Sequence, residues 1–327
     1  PPPVYAYPTN EYSPHKIKIS ARTEGHDIAP PMKQGSLLST HLNLSGDASA
    51  AQQFGRLTRH VSLYGGKDIK SLNITPRFKG LTGHTIQIPV PEFRHTIANN
   101  QGSPQELWRN IRFSNEGHKR ASNKEGLKPF NFGNIIIEQN TSFAEEDTSV
   151  ISRSSVLYDQ EIQLLKSTYM GFRTRLNLGH NLHRLEDFKA VNAKEPVRSD
   201  INDFASQTLG IDRLYASMIA TPYTDLHIGV AAGYLEEVYG GIAGEILYRP
   251  FGKTYAFGLS LADVSRRDPH TAQNLGFKNR SVTTGHINIF HEIPNTDMNL
   301  SLKLGRYLAG DWGGTIGLTN TFKNGVG

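Results

Sequence analysis

From Leu226 onward the chain alternates between apolar and small or polar positions. Leu226, Ile228, Val230, Ala232 and Tyr234 take every second place, with His227, Gly229, Ala231 and Gly233 between them. Tyr255, Phe257, Leu259 and Leu261 alternate with Ala256, Gly258, Ser260 and Ala262, and Met298, Leu300, Leu302 and Leu304 with Asn299, Ser301, Lys303 and Gly305. Successive side chains of an extended chain point to opposite faces, so a period of two predicts strands with one apolar and one small or polar face. Thr221-Pro222-Tyr223-Thr224-Asp225, Arg249-Pro250-Phe251-Gly252-Lys253 and Ile293-Pro294-Asn295-Thr296-Asp297 predict tight turns, proline supplying a preset φ. Longer connections, notably Ser265 to Arg280, fall between them. Short turns at one end and longer loops at the other are the rhythm of an antiparallel transmembrane β-barrel. Tyr223, Tyr248, Phe251 and Tyr255 by the short turns, and Tyr234, Tyr239, Tyr307 and Trp312 by the other end, suit its aromatic girdles. A water-soluble β-sandwich with those aromatics in its core fits the alternation as well.

Residues 1–128 follow a different grammar. Short β-like runs at His15 to Arg22, Asp68 to Thr75 and His84 to Val90 are broken by Pro76, Pro89 and Pro91. Ser103-Pro104-Gln105-Glu106 sets an N-cap serine, a proline at the first helical position and a glutamate at the third, predicting a short helix near 104–112. The expectation is a small, mostly β soluble region of periplasmic type, a polar linker or loop from Asn115 to Pro129, and a partial β-barrel over 129–327. The start at Pro1-Pro2-Pro3, without an initiating methionine or an apolar signal core, places any export signal upstream. Asn324-Gly325-Val326-Gly327 reads as the middle of a hairpin, which places a partner for the last strand downstream.

Composition removes some function classes. No run approaches the roughly 18 apolar residues of a membrane helix, whereas barrel strands average out as polar and are compatible with a 37% hydrophobic content. The lack of cysteine excludes a disulfide framework and a cysteine metal site. The net charge of +5 is mild, and the cluster His118, Lys119, Arg120, Lys124 and Lys128 has neither a basic helix nor stacking aromatics beside it. It reads as a solvated loop, with no nucleic-acid partner.

Three segments carry a resemblance: Gly210-Ile211-Asp212-Arg213-Leu214-Tyr215, Ala232 through Gly241 with Glu236-Glu237, and Gly244-Glu245-Ile246-Leu247-Tyr248-Arg249-Pro250-Phe251-Gly252. Val264 with Arg266-Arg267-Asp268, Ser281 through His286, and Gly305-Arg306-Tyr307-Leu308-Ala309-Gly310-Asp311-Trp312-Gly313 follow in order. Together they resemble the YjbH/GfcD family of outer-membrane proteins encoded with exopolysaccharide or group 4 capsule genes. The resemblance is strong from about Pro196 onward. It is looser from Gly102 through Leu185, where Gly102-Ser103-Pro104, Trp108-Arg109 and Arg175-Leu176-Asn177-Leu178 are similar, and weak before that. It implies an outer-membrane β-barrel with a periplasmic portion, acting in export or assembly of a polysaccharide beside periplasmic proteins of the same pathway. It supplies no catalytic residues.

Candidate chemistry is sparse. Gly240-Gly241-Ile242-Ala243-Gly244 lacks the strand-loop-helix setting of a nucleotide loop, so it reads as a place where a strand bends or packs closely, and no cofactor is expected. Glu236 and Glu237 are adjacent in a strand and point apart, so they predict salt bridges and no glycosidase pair. His180 and His183 read as loop histidines and no metal site. His227, Glu245, Lys303, Arg306 and Asp311 are the candidates to line a hydrated lumen. The leading expectation is a non-enzymatic outer-membrane barrel in contact with lipid and polysaccharide. A soluble envelope carbohydrate-binding β-sandwich and a polysaccharide-modifying enzyme are the alternatives.

Overall fold

The computed structural model describes residues 11–45, 49–98, 103–114, 133–143, 150–165, 167–184, 197–198 and 201–320. The basic cluster at 118–128 lies outside them. The chain is mostly β and divides into two compact units, Pro1–Gly126 with Thr221–Asp225, and Leu127–Ala220 with Leu226–Gly327.

The first unit holds helices α1 (Pro14–Thr23), α2 (Ala50–Tyr64), α3 (Val90–Phe93) and α4 (Pro104–Asn110). Its strands are β1 (Asp27–Ile28), β2 (Met32–Gln34), β3 (Leu37–Asn43), β4 (Ser71–Phe78), β5 (Leu81–Thr82), β6 (Thr85–Pro89) and β7 (Arg112–Ser114). They order as β1-β3-β4-β6-β7, with β2 on β3 and β5 on β4. β3 and β4 run parallel, Leu38 beside Leu72 and Thr40 beside Ile74, and α2 is the crossover that parallel neighbours require. Ser49 caps α2 by accepting the Gln52 N–H, and Leu57 and Val61, four residues apart, turn to one side. With Ile17, Leu38, Leu42, Ile69, Leu72 and Ile74 they form a core shut off from solvent.

Two expectations for this region are corrected. His15 to Arg22 is the helix α1 and no strand: Ile17, Ile19 and Ala21 mimic a period of two, but Ile17 and Ala21 are buried while Ile19 is 49% exposed, which is an i, i+4 face. With α2 added, the unit is a mixed α/β layer. Pro76 does not break its strand, because β4 pairs with β6 only through Ile74 and meets β3 on its other side at Pro76. α4 carries a full capping box, Ser103 Oγ accepting from Glu106 N–H and the Glu106 carboxylate from Ser103 N–H.

The second unit is one antiparallel meander of ten strands. They are β8 (Asn134–Phe143), β9 (Val150–Leu165), β10 (Thr168–His180), β11 (Leu209–Tyr223), β12 (Leu226–Tyr234), β13 (Tyr239–Tyr248), β14 (Tyr255–Asp268), β15 (Gly276–Glu292), β16 (Met298–Arg306) and β17 (Trp312–Asn320). Each pairs with its sequence neighbours, and among the described residues β8 and β17 are open edges. Asp225, Gly252 and Asn295 supply left-handed residues to the tight turns. The first turn is shorter than expected, since β11 runs through Pro222 and Tyr223. At the other end the β10–β11 connection carries helix α5 (Ile201–Ser206).

The register separates two faces. Ile228, Ile246, Leu259, Ile287 and Leu304 lie opposite one another across five strands, and the next row is Gly229, Glu245, Ser260, His286 and Gly305. The apolar row is the open one: Ile246 is 47% and Ile287 57% exposed, whereas His286 is buried. The polar face is concave. Ala205 of α5 clusters with Ile151 of β9, while the preceding Phe204 clusters with Val264 of β14. Five strand spacings on a flat sheet are about 24 Å, too far for consecutive residues of one helix, so the sheet curls around α5. Gly305, with φ of 157°, permits close packing in this curl, where a Cβ would stand 1.9 Å from the Gly285 carbonyl oxygen.

Candidate functional site

The concave face has a mid-strand level and a loop-end level. At mid-strand, His227, Leu247, Gly258, Asn288, Lys303 and Thr315 form one row, and Glu245 belongs to the row beside it. Register therefore brings His227, Glu245 and Lys303 to one face, although no local sequence signal links them. Lys303 Nζ lies 5.6 Å over the ring of Tyr307, His286 meets that ring edge-on at 4.7 Å, and Tyr307 Oη is 2.6 Å from Thr315 Oγ1. Arg306 and Asp311 are placed differently. Arg306 follows Gly305 in the strand, so it falls on the opposite face, in the row of Leu261 and Trp312. Asp311 sits in the β16–β17 turn, its carbonyl accepting the Tyr307 N–H, so neither joins the Lys303 row.

At the loop end, charged side chains are buried in pairs. Arg153 donates through both terminal nitrogens to Glu237, at 2.9 and 2.7 Å, and through Nε to Asn177 at 2.9 Å. Arg175 holds Asp212 through Nε at 3.0 Å and Nη2 at 2.9 Å, and reaches Glu138 at 2.6 Å and Ser155 at 3.1 Å through Nη1. Forked guanidinium contacts of this kind are the strong, directional class of ion pair. Arg267 is fully buried and donates instead to four backbone carbonyls, those of Ile211, Asp212, Glu236 and Asn274. Its guanidinium also lies 4.7 Å over Tyr234, which stacks on Phe277.

Glu236 and Glu237 diverge, to Arg198 and Arg153 respectively, so they present no convergent carboxylate pair. His180 ends β10, its Nδ1 accepting the Leu182 N–H, and no group of metal-ligating side chains forms among the described residues. The aromatic sets separate as well. Tyr223, Tyr248, Phe251 and Tyr255 by the short turns are exposed, as is Trp312, but Tyr239 is buried in the cluster of α5 and Tyr307 packs on His286.

Sequence reasoning missed Arg153, Arg175, Asp212 and Glu138 as a group. A signal for Arg175 was present: Leu176 and Leu178 take alternate positions, so Arg175 and Asn177 belong to the other face. Asp212, Glu237 and Arg267 lie within the segments that carry the family resemblance, and they hold the loop ends together here. The YjbH family, described as exopolysaccharide biosynthesis protein YbjH, matches residues 33–327.

The chain belongs to the YjbH family.

The family's description concerns exopolysaccharide biosynthesis. The chain is also 33% identical over 133 residues to "Uncharacterized lipoprotein YjbH" of Escherichia coli (strain K12). That match covers 40% of this chain and 19% of the relative's length. No solved structure matches.

Proposed function

We propose that this YjbH-family chain forms part of an outer-membrane β-barrel that takes part in secretion or assembly of exopolysaccharide or capsule, and that it does so without catalysing a reaction. The observation that carries the reading is the reversed polarity of the ten-stranded sheet. Its convex face exposes Ile242, Ile246, Leu259, Leu261, Ile287 and Ile316, while Arg153, Arg175, Asp212 and Arg267 are buried. Monomeric soluble proteins seldom expose contiguous apolar patches beyond a few hundred Å²; a lipid-facing band requires one. Strand lengths agree, since about 9 to 11 tilted residues cross a bilayer and β12 through β17 have 9 to 17 residues. No helix among the described residues is long and apolar enough to cross a membrane.

A hydrocarbon setting leaves no room for unpaired sheet edges, so the reading requires further strands to pair β8 and β17. The mixed α/β unit is the periplasmic portion, and the relative's name as a lipoprotein suits an envelope location. The partners are lipid on the convex face, polysaccharide on the concave face and periplasmic proteins of the same pathway. His227, Glu245 and Lys303 are the lumen-lining candidates that the register supports. The test is the full-length protein in outer-membrane fractions: it should need detergent for extraction and migrate differently on gels before and after heating. A protein that stays soluble without detergent breaks the reading in favour of a carbohydrate-binding soluble fold.

A further inference from the structure

We propose that α5, with Val197, Arg198 and Gln207 beside it, is a displaceable plug that shuts the concave face at the loop end, so that a polymer passes only after these residues leave their seat. The inference rests on the barrel reading. α5 occupies the mouth because its two most buried side chains reach opposite walls, Phe204 toward Val238, Tyr239 and Val264, and Ala205 toward Ile151 and Leu182. Ile201 joins both clusters.

Polar contacts latch the segment at several points. Tyr239 Oη donates to the Val197 carbonyl at 3.2 Å, and Arg198 Nη2 to Glu236 at 2.6 Å. Gln207 is held from two directions: its carbonyl accepts from Asn177 Nδ2 at 2.7 Å, and its side-chain amide donates to the Thr271 carbonyl at 3.0 Å.

The way these contacts divide makes the segment separable from the wall. The Arg153–Glu237 and Arg175–Asp212–Glu138 pairs join strands and the β12–β13 connection to one another without α5. The plug's own ion pair, Arg198–Glu236, is solvent-exposed on the arginine side, and such pairs hold weakly. The segment's apolar contacts come from four side chains, Val197, Ile201, Phe204 and Ala205, against a ladder of ten paired strands, so it leaves its seat at less cost than the sheet opens. Loss of α5 from its seat would open the concave loop end and leave the strand ladder intact.

The test uses the full-length protein in planar bilayers. Phe204→Ala empties the apolar seat, and Arg198→Ala with Gln207→Ala loosens the latch while keeping that seat. The wild type should be closed or nearly so, and both variants should conduct several-fold more while keeping the wild-type heat-modifiable gel band. A wild type that conducts as well as the variants overturns the plug, and so do folded variants that stay closed. Failure of the barrel reading is seen separately, as a wild type with no heat-modifiable band and no need of detergent.

Discussion

The two units use the same apolar alphabet in opposite senses. In the first, Leu38, Leu42, Leu57, Val61, Leu72 and Ile74 are shut away between helices and sheet, and charged groups stay mostly outside. In the second, the large apolar side chains line the convex surface, and arginines and carboxylates are buried at the concave loop end. A packed aqueous core stabilises the first arrangement, since each fully buried Leu or Ile contributes about 1.5 to 3 kcal/mol. The second is favourable only where something other than water covers the apolar rows and the buried charges find partners. Which face is apolar distinguishes the two.

The largest effect is expected from breaking the buried charge network. Arg175→Ala strands Asp212 and Glu138 and should cost about 3 to 5 kcal/mol in the second unit, measured as a shift of the urea midpoint of the heat-modifiable folded band. Arg175→Met with Asp212→Leu and Glu138→Gln should recover most of that loss, because no unpaired charge remains among the three. Leu57→Ala in the first unit should cost about 2 to 5 kcal/mol through the cavity it leaves. The folded band of the second unit should persist in that variant, and a loss of both transitions together would erase the comparison.

A smaller and more discriminating effect belongs to the convex face. Ile287→Lys should destabilise the protein in lipid vesicles by about 2 to 4 kcal/mol if the row meets the bilayer midplane. A change within about 0.5 kcal/mol is the result for a water-exposed position, and it would remove the contrast between the units.

The smallest effect is a pH dependence of the first unit's stability. Burial lowers the His60 imidazole below its usual range, against the opposing charge of Glu24, and Ser20 Oγ lies 2.7 Å from its Nδ1. The unfolded chain takes up the proton near pH 6.5, while the folded chain resists it to lower pH. The unfolded state then binds more protons, so stability falls as pH drops through that value and levels off below the folded pKa. His26 acts in the same direction, its imidazole also lowered by burial. Thermal unfolding between pH 7.5 and 5 should show the decline, and His60→Gln should flatten it.

Legibility followed the range of the information needed. The turns at Pro250 and Pro294 and the capping box at Ser103 rest on neighbouring residues, and they stand in the structure with left-handed Gly252 and Asn295 and with reciprocal Ser103–Glu106 bonds. The alternation of β12, β14 and β16 was equally local. His15 to Arg22 misled because three apolar residues spaced by two also satisfy a helix whose buried pair is four apart. Arg306 was grouped with Lys303 by polarity, whereas strand parity sends them to opposite faces. The loop-end network was illegible as a unit, since Arg153 and Glu237 are 84 residues apart and meet only because the sheet curls.

The sequence by itself determined the family, the antiparallel strands with one apolar face, and the tight turns, because each depends on motifs or on a short periodic stretch of chain. Only the tertiary structure decided that the apolar face is the convex, open one, that α5 fills the concave mouth, and which arginine meets which carboxylate. Those outcomes depend on register and curvature summed over ten strands, and a period of two says that a strand has two faces without saying which of them the fold encloses.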